Sequence, residues 1–192
     1  MGEGLYRFLK YVALALGGLC IAYLLYDSFG YLADHDARTY QAGERLFQDG
    51  KYDLAAERFD ELAVRQPDNA AVLRGLARSL MQTGQDEAAF AAFDRAIALD
   101  PTVASVYANR GILHDRRGEY EAAVADYRRA VETDAELVEG PGWLTRFLRN
   151  QPEAPPTVAD RLAYLQAELA KPPGERALSD PAADAAQRSF RR

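Results

Sequence analysis

Three turn glycines, Gly50, Gly84 and Gly118, stand 34 residues apart. A fixed period of this length restricts the chain to a stack of like units, each too small to bury its apolar face alone. Every period carries the same pattern. Small residues recur at Gly43, Ala77 and Gly111, and again at Ala55, Ala89 and Ala123. Large aromatics follow at Phe59, Phe93 and Tyr127, then smaller apolar residues at Leu62, Ala96 and Ala130. Small positions facing large ones at helical spacing let two helices approach closely. Pro67 and Pro101 close the first two units, and Ala135 takes that place in the third. Proline stops a helix because it lacks an N–H and clashes with the preceding turn.

The stretch 104–134 is one complete helix–turn–helix unit of this kind. On these residues, 36–134 resembles three consecutive tetratricopeptide (TPR) repeats, with Thr39, Arg110 and His114 departing from the family's usual apolar residues. The resemblance implies an all-α TPR-type solenoid of three helix–turn–helix repeats, at 36–69, 70–103 and 104–137. It also implies that the first helix of each repeat lines a concave groove. That register places Tyr40, Gln41, Glu44, Phe47 and Gln48 in the groove from the first repeat. Arg74, Arg78, Met81 and Gln82 come from the second, and Asn109, Ile112, Asp115 and Arg116 from the third. A mixed apolar and charged groove suits an extended peptide or a partner helix. The competing expectations are a solvated inner face and a groove filled by the chain's own tail. Chaperone-docking TPR domains grip acidic C-termini with a cationic clamp. The corresponding positions here are Tyr40, Glu44, Gly75, Ser105 and Asn109, so no such clamp is expected. Arg74 and Arg78, four apart on one helix face, are the candidates for holding an anionic group.

Upstream of the repeats, Tyr11–Tyr26 is a charge-free apolar run of 16 residues. As a helix it spans about 24 Å, short of a hydrocarbon core of about 30 Å. Arg7 and Lys10 close that gap by snorkelling. Tyr6, Tyr11, Tyr23, Tyr26 and Tyr31 suit the two interfaces. No good signal-peptidase site follows the run, and Leu19 before Cys20 argues against a lipoprotein. Residues 1–32 are therefore predicted to be an uncleaved single-pass anchor in contact with membrane lipid. Basic residues before the run and Asp27, Asp34 and Asp36 after it orient the repeats toward a bacterial periplasm. Gly18 and Ala22 form a small-xxx-small pair, although glycine is also tolerated singly in membrane helices.

Net charge is −6, which gives no broad basic surface for nucleic acid. The single cysteine cannot form an internal disulfide, and no metal-ligand spacing, cofactor motif or catalytic constellation occurs. His114 is expected to pack between helices, and His35 to sit in a solvated linker.

After the repeats, 138–171 is predicted to cover the open end of the stack. Trp143–Asn150 begins a capping helix, 151–156 is a stiff linker, and Thr157 with Asp160 forms a capping box. Val158, Leu162, Leu165 and Leu169 then form an apolar stripe that must bury against the repeats or a partner. Residues 172–192 are predicted to be an extended arm. The segments 140–150 and 159–172 are similar to the C-terminal region of membrane-anchored TPR proteins of proteobacteria. Together these features predict a non-enzymatic, membrane-tethered scaffold. Its protein partner would be a membrane-complex subunit or a translocating client, in keeping with periplasmic TPR proteins that assist secretion or cytochrome maturation. The alternative is an accessory subunit of a respiratory or photosynthetic complex, held by the anchor and the tail.

Overall fold

A computed structural model of the protein describes residues 2–134 and 157–179. Among the described residues the chain is all-helical. Helix α1 (Gly2–Gln48) pairs with α2 (Tyr52–Arg65), α3 (Ala70–Gln82) with α4 (Asp86–Leu99), and α5 (Ala104–Arg116) with α6 (Tyr120–Thr133). Packing of α2 on α3 and of α4 on α5 joins the pairs into a solenoid. Helix α7 (Val158–Leu169) packs on α6, and a 3-10 turn, Pro173–Glu175, follows it.

The turns explain the period. Gly50, Gly84 and Gly118 have φ of 75°, 73° and 76°, a left-handed conformation that costs glycine no Cβ clash. At each one the next amide donates back five residues, Lys51 to Leu46, Gln85 to Leu80 and Glu119 to His114, at 2.9, 3.0 and 2.9 Å. This is a Schellman cap, which satisfies the last helical carbonyls and reverses the chain.

The repeating columns form the core. Ala55, Ala89 and Ala123 are fully buried beside Phe59, Phe93 and Tyr127. A side chain has almost no room at these crossings. A Cβ on Gly43 would lie 3.0 Å from the Phe59 ring, one on Gly75 2.5 Å, and one on Gly111 2.8 Å from Tyr127. Phe59 is thus wedged between two glycines of different helices, and burial of such a ring contributes about 1.5–3 kcal/mol.

The two ends depart from the expected boundaries. No break separates the apolar run from the first repeat, since α1 is one helix of 47 residues. The intervening sequence 27–39 has no proline, and one Gly30 costs a helix only about 1 kcal/mol. Because α1 starts at Gly2, its candidate membrane span is Gly2–Tyr26, 25 residues whose most apolar 18-residue stretch has mean hydropathy 1.9, with none of that stretch buried. That is about 37 Å of helix, longer than a hydrocarbon core, but its first turns carry Glu3, Arg7 and Lys10, so Arg7 and Lys10 still reach the interface by snorkelling. The exposure excludes a core helix of the solenoid, while length and composition also fit a signal sequence. Asp36 bonds to Arg65 at 2.8 Å and to Gln66 at 2.6 Å, fastening α1 to the end of α2 where the repeats begin.

At the other end, the predicted capping box is present, with Thr157 and Asp160 bonded reciprocally. Val158 and Leu165 are buried, and Leu162 and Leu169 pack against the same core. Residues 172–179 do not run out as an arm. They fold back along α7, where the Ala177 amide donates to Glu168 and its carbonyl accepts from the Tyr164 hydroxyl. The expected Trp143 helix, the 151–156 linker and the rest of the arm lie outside the described residues.

Candidate functional site

The first helices α1, α3 and α5 line a small pocket of about 100 Å³ in the inner face of the stack. Tyr40 and Glu44 of α1, Arg74 and Arg78 of α3, and Asn109 of α5 meet there. Phe93 and Val106 floor the pocket but are 0% and 1% exposed, so its accessible surface comes mainly from Tyr40, Ala71 and Arg74. All five positions compared with the chaperone clamp, including Gly75 and Ser105, line it, and none of them is a cation.

The two arginines have different roles. Arg78 is buried, donates to Glu44 at 2.5 Å and lies 4.6 Å over the Phe47 ring. It ties the first repeat to the second and is not an arm held out to a ligand. Arg74 is half-exposed and makes no hydrogen bond among the described residues. It stands where the pocket meets a wide, open depression of about 610 Å³ at the α2–α3 turn, beside Pro67, Asn69 and Asp100. Asp100 is held below the usual carboxylate range, first by its bonds to Thr102 and also by the Arg74 charge.

Other predicted groove residues are placed differently. Met81 and Ile112 are buried in the core, at 2% exposed each. Phe47 is half-buried and meets Tyr52 edge-on at 5.1 Å. Gln41, Gln48 and Arg116 are exposed, and Gln82 is half-buried.

Asp115 is buried, and the chain's own α7 covers it. Arg161 grips it with two bonds of 2.7 Å, and the Tyr127 hydroxyl donates to it at 3.1 Å. Arg161 also donates to the Leu178 carbonyl at 3.2 Å. Burial, then the Asp115 charge, pushes the Tyr127 hydroxyl far above the ordinary phenol range. The third-repeat end of the predicted groove is therefore closed, and the open part lies at the first two repeats and the start of α5.

Two of the three family departures, Arg110 and His114, prove to be structural. Arg110 grips Asp126 with two bonds of 2.7 Å and Asp94 with one of 2.6 Å, joining α4, α5 and α6. His114 packs 4.5 Å from the Phe90 ring centroid with Nδ1 2.6 Å from Glu119, the packing role expected of it. Arg110 and Arg161 were missed as clasps because nothing local marks their partners.

Comparison with known proteins agrees with this geometry. Two tetratricopeptide-repeat family models match, over residues 40–104 and 92–125. Residues 40–125 are tetratricopeptide repeats. The TPR solenoid is similar to the first TPR of Spaghetti (RPAP3) bound to an HSP90 peptide SRMEEVD, with 19% identity and TM-score 0.56 over 71% of this chain and 94% of that one. It is also similar to the Yersinia enterocolitica type III secretion chaperone SycD in complex with a peptide of the translocator YopD. There identity is 18% and TM-score 0.57, over 71% of this chain and 95% of that one. PcrH in complex with the chaperone-binding region of PopD gives 19% and 0.56, over 70% and 92%. At these identities the likeness is one of fold. No curated protein matches the sequence. TPR domains are in general protein-binding scaffolds, which sets the class of function here.

Proposed function

We propose that this chain is a membrane-tethered TPR adaptor that binds a segment of a protein partner across the pocket between α1, α3 and α5. The observation that carries the reading is the pocket itself, with half-buried Tyr40 and Ala71 in its wall and Arg74 at its rim making no hydrogen bond to the described residues. A groove of this kind takes an extended peptide or a helix, apolar side chains giving affinity and a charge giving register. TPR domains of the same fold have been solved with peptides bound. The exposed apolar helix 2–26 serves as the tether. The basic residues before it and acids after it favour repeats on the periplasmic side of a bacterial inner membrane. Assistance to assembly of a membrane complex, or to a translocating client, follows from that location.

The test is co-purification from detergent-solubilised membranes after cross-linking. Ala71, which lines the pocket, is changed to Trp to fill it, and Arg74 is reversed to Glu. Both variants should lose the partner, and because Ala71 and Arg74 are half-buried, each is compared only after its unfolding temperature is shown to be parental. Arg78 is left untouched because of its buried pair. If both variants keep the partner, the groove does not bind it. If the partner is instead lost on deletion of 180–192 or exchange of the apolar helix, the accessory-subunit reading holds.

A further inference from the structure

We infer that the partner segment belongs to a second membrane-embedded protein and lies within a few tens of ångströms of the same bilayer face. The inference rests on the tether and groove just proposed, and it comes from the continuity of α1. Tyr40 and Glu44, which form one wall of the pocket, are on the same uninterrupted helix as the apolar segment ending at Tyr26. They follow Tyr26 by 14 and 18 residues, about 21 and 27 Å of helix at about 1.5 Å per residue. The wall is also locked to the solenoid. Asp36 bonds to Arg65 and Gln66, Tyr40 meets Phe59 edge-on at 5.6 Å, and Gly43 lies flat against that ring.

A flexible linker would let the repeats sweep a wide volume above the membrane. A helical post instead holds the pocket at one height and one azimuth. For a ligand free in solution that restriction gains nothing. For a ligand confined to the same bilayer, a matched height raises the effective concentration, whereas a mismatched rigid spacer takes it toward zero. The geometry therefore selects a partner whose binding segment is juxtamembrane.

The experiment uses the full-length chain in the membranes of its source organism. A benzophenone amino acid replaces the exposed Gln41, next to Tyr40 on α1, and the cells are irradiated. Two variants change only the post. Insertion after Asp34 of an 18-residue Ala/Glu/Lys helix, about five turns, lifts the pocket by about 27 Å at nearly the same azimuth. An 18-residue Gly/Ser insertion of equal length restores reach. The expected adducts fall roughly tenfold or more with the rigid insert and less with the flexible one, and the partner identified from the adduct resists alkaline carbonate extraction on its own, from membranes that were not irradiated. Adducts unchanged by the rigid insert, or a partner that carbonate extracts from membranes that were not irradiated, would overturn the inference and leave the groove reading standing. Absence of any adduct from Gln41 in the parent chain counts against the groove itself, and the inference falls with it. Parental thermal unfolding of the repeats in both insertion variants confirms that only the post has changed.

Discussion

The two ends of this solenoid carry apolar helices of opposite fate. At the C-terminal end the chain folds back on itself. Val158 and Leu165 are 2% and 0% exposed, and Arg161 is buried on Asp115. At the N-terminal end α1 simply continues, and its large apolar side chains from Leu5 to Tyr26 are 38–79% exposed. A repeat stack ends in an apolar face that something must cover. Here α7 covers one end from within the chain, while residues 2–26 are exposed, with none of the described residues burying them. The lesson is that apolar periodicity alone does not say whether a helix is a cap or a tether. What distinguishes them is a buried polar clasp on one and continuous, unclasped apolar surface on the other.

The largest expected effect comes from breaking the C-terminal clasp. Arg161→Ala leaves Asp115 buried without its cation, which costs about 3–5 kcal/mol. Chemical denaturation should show that loss, and hydrogen exchange should show α7 opening ahead of the repeats. Parental protection of α7 would mean that the apolar stripe alone holds the cap.

Leu16→Arg attacks the other end. A central arginine costs about 2.5–3.5 kcal/mol of membrane insertion. Membrane flotation should show the variant shifting toward the soluble fraction, whereas unfolding of the repeats stays put. A fall in repeat stability would instead reveal packing of 2–26 against protein.

A subtler contrast lies within α1. Gly43→Ala pushes a methyl against Phe59, which cannot retreat because Gly75 presses its other side. A loss of about 1–2 kcal/mol is expected. Gly17→Ala, with nothing within 4 Å, should leave repeat unfolding within about 0.5 kcal/mol. Equal effects of the two would erase the boundary between packed and unpacked halves of the helix.

The smallest effect is on acid stability. Asp36 is held below its usual 3.8, chiefly by Gln66 with help from Arg65. Glu168 is held below 4.5 by Lys171 and the Ala177 amide. Carboxylates depressed in the folded state contribute stability that is complete above the unfolded values. That stability is lost as pH falls through the folded ones, because the unfolded chain takes up protons first. Unfolding midpoints should hence be flat above about pH 5 and fall below about pH 4. Asp36→Asn should soften the fall at the α1–α2 junction, and Glu168→Gln at the cap.

Within the candidate site, Tyr40, Glu44, Arg74, Arg78 and Asn109 were legible as neighbours because the period places them at equivalent turns of successive first helices. Their roles were not legible. Arg74 and Arg78 look alike on a helical wheel. Only the fold shows that Arg78 meets Glu44 and Phe47 while Arg74 faces the opening. Nor does the wheel show that Met81 of α3 and Ile112 of α5 are buried in the core.

What the sequence determined alone is the number of repeats, their turns and the alanine and aromatic columns. In a stack each unit touches only its neighbours, so one short pattern, repeated, encodes the whole core. Tertiary structure decided the clasps and the ends. Glu44 and Arg78 are 34 residues apart, Arg110 and Asp126 are 16 apart, and Asp115 and Arg161 are 46 apart. A charge finds its partner through the geometry of helix crossings, which no local pattern records. Nor does the apolar run announce that it shares one unbroken helix with the groove wall. That continuity comes from cooperative helix propagation into a segment which tertiary contacts hold in place from Asp36 onward.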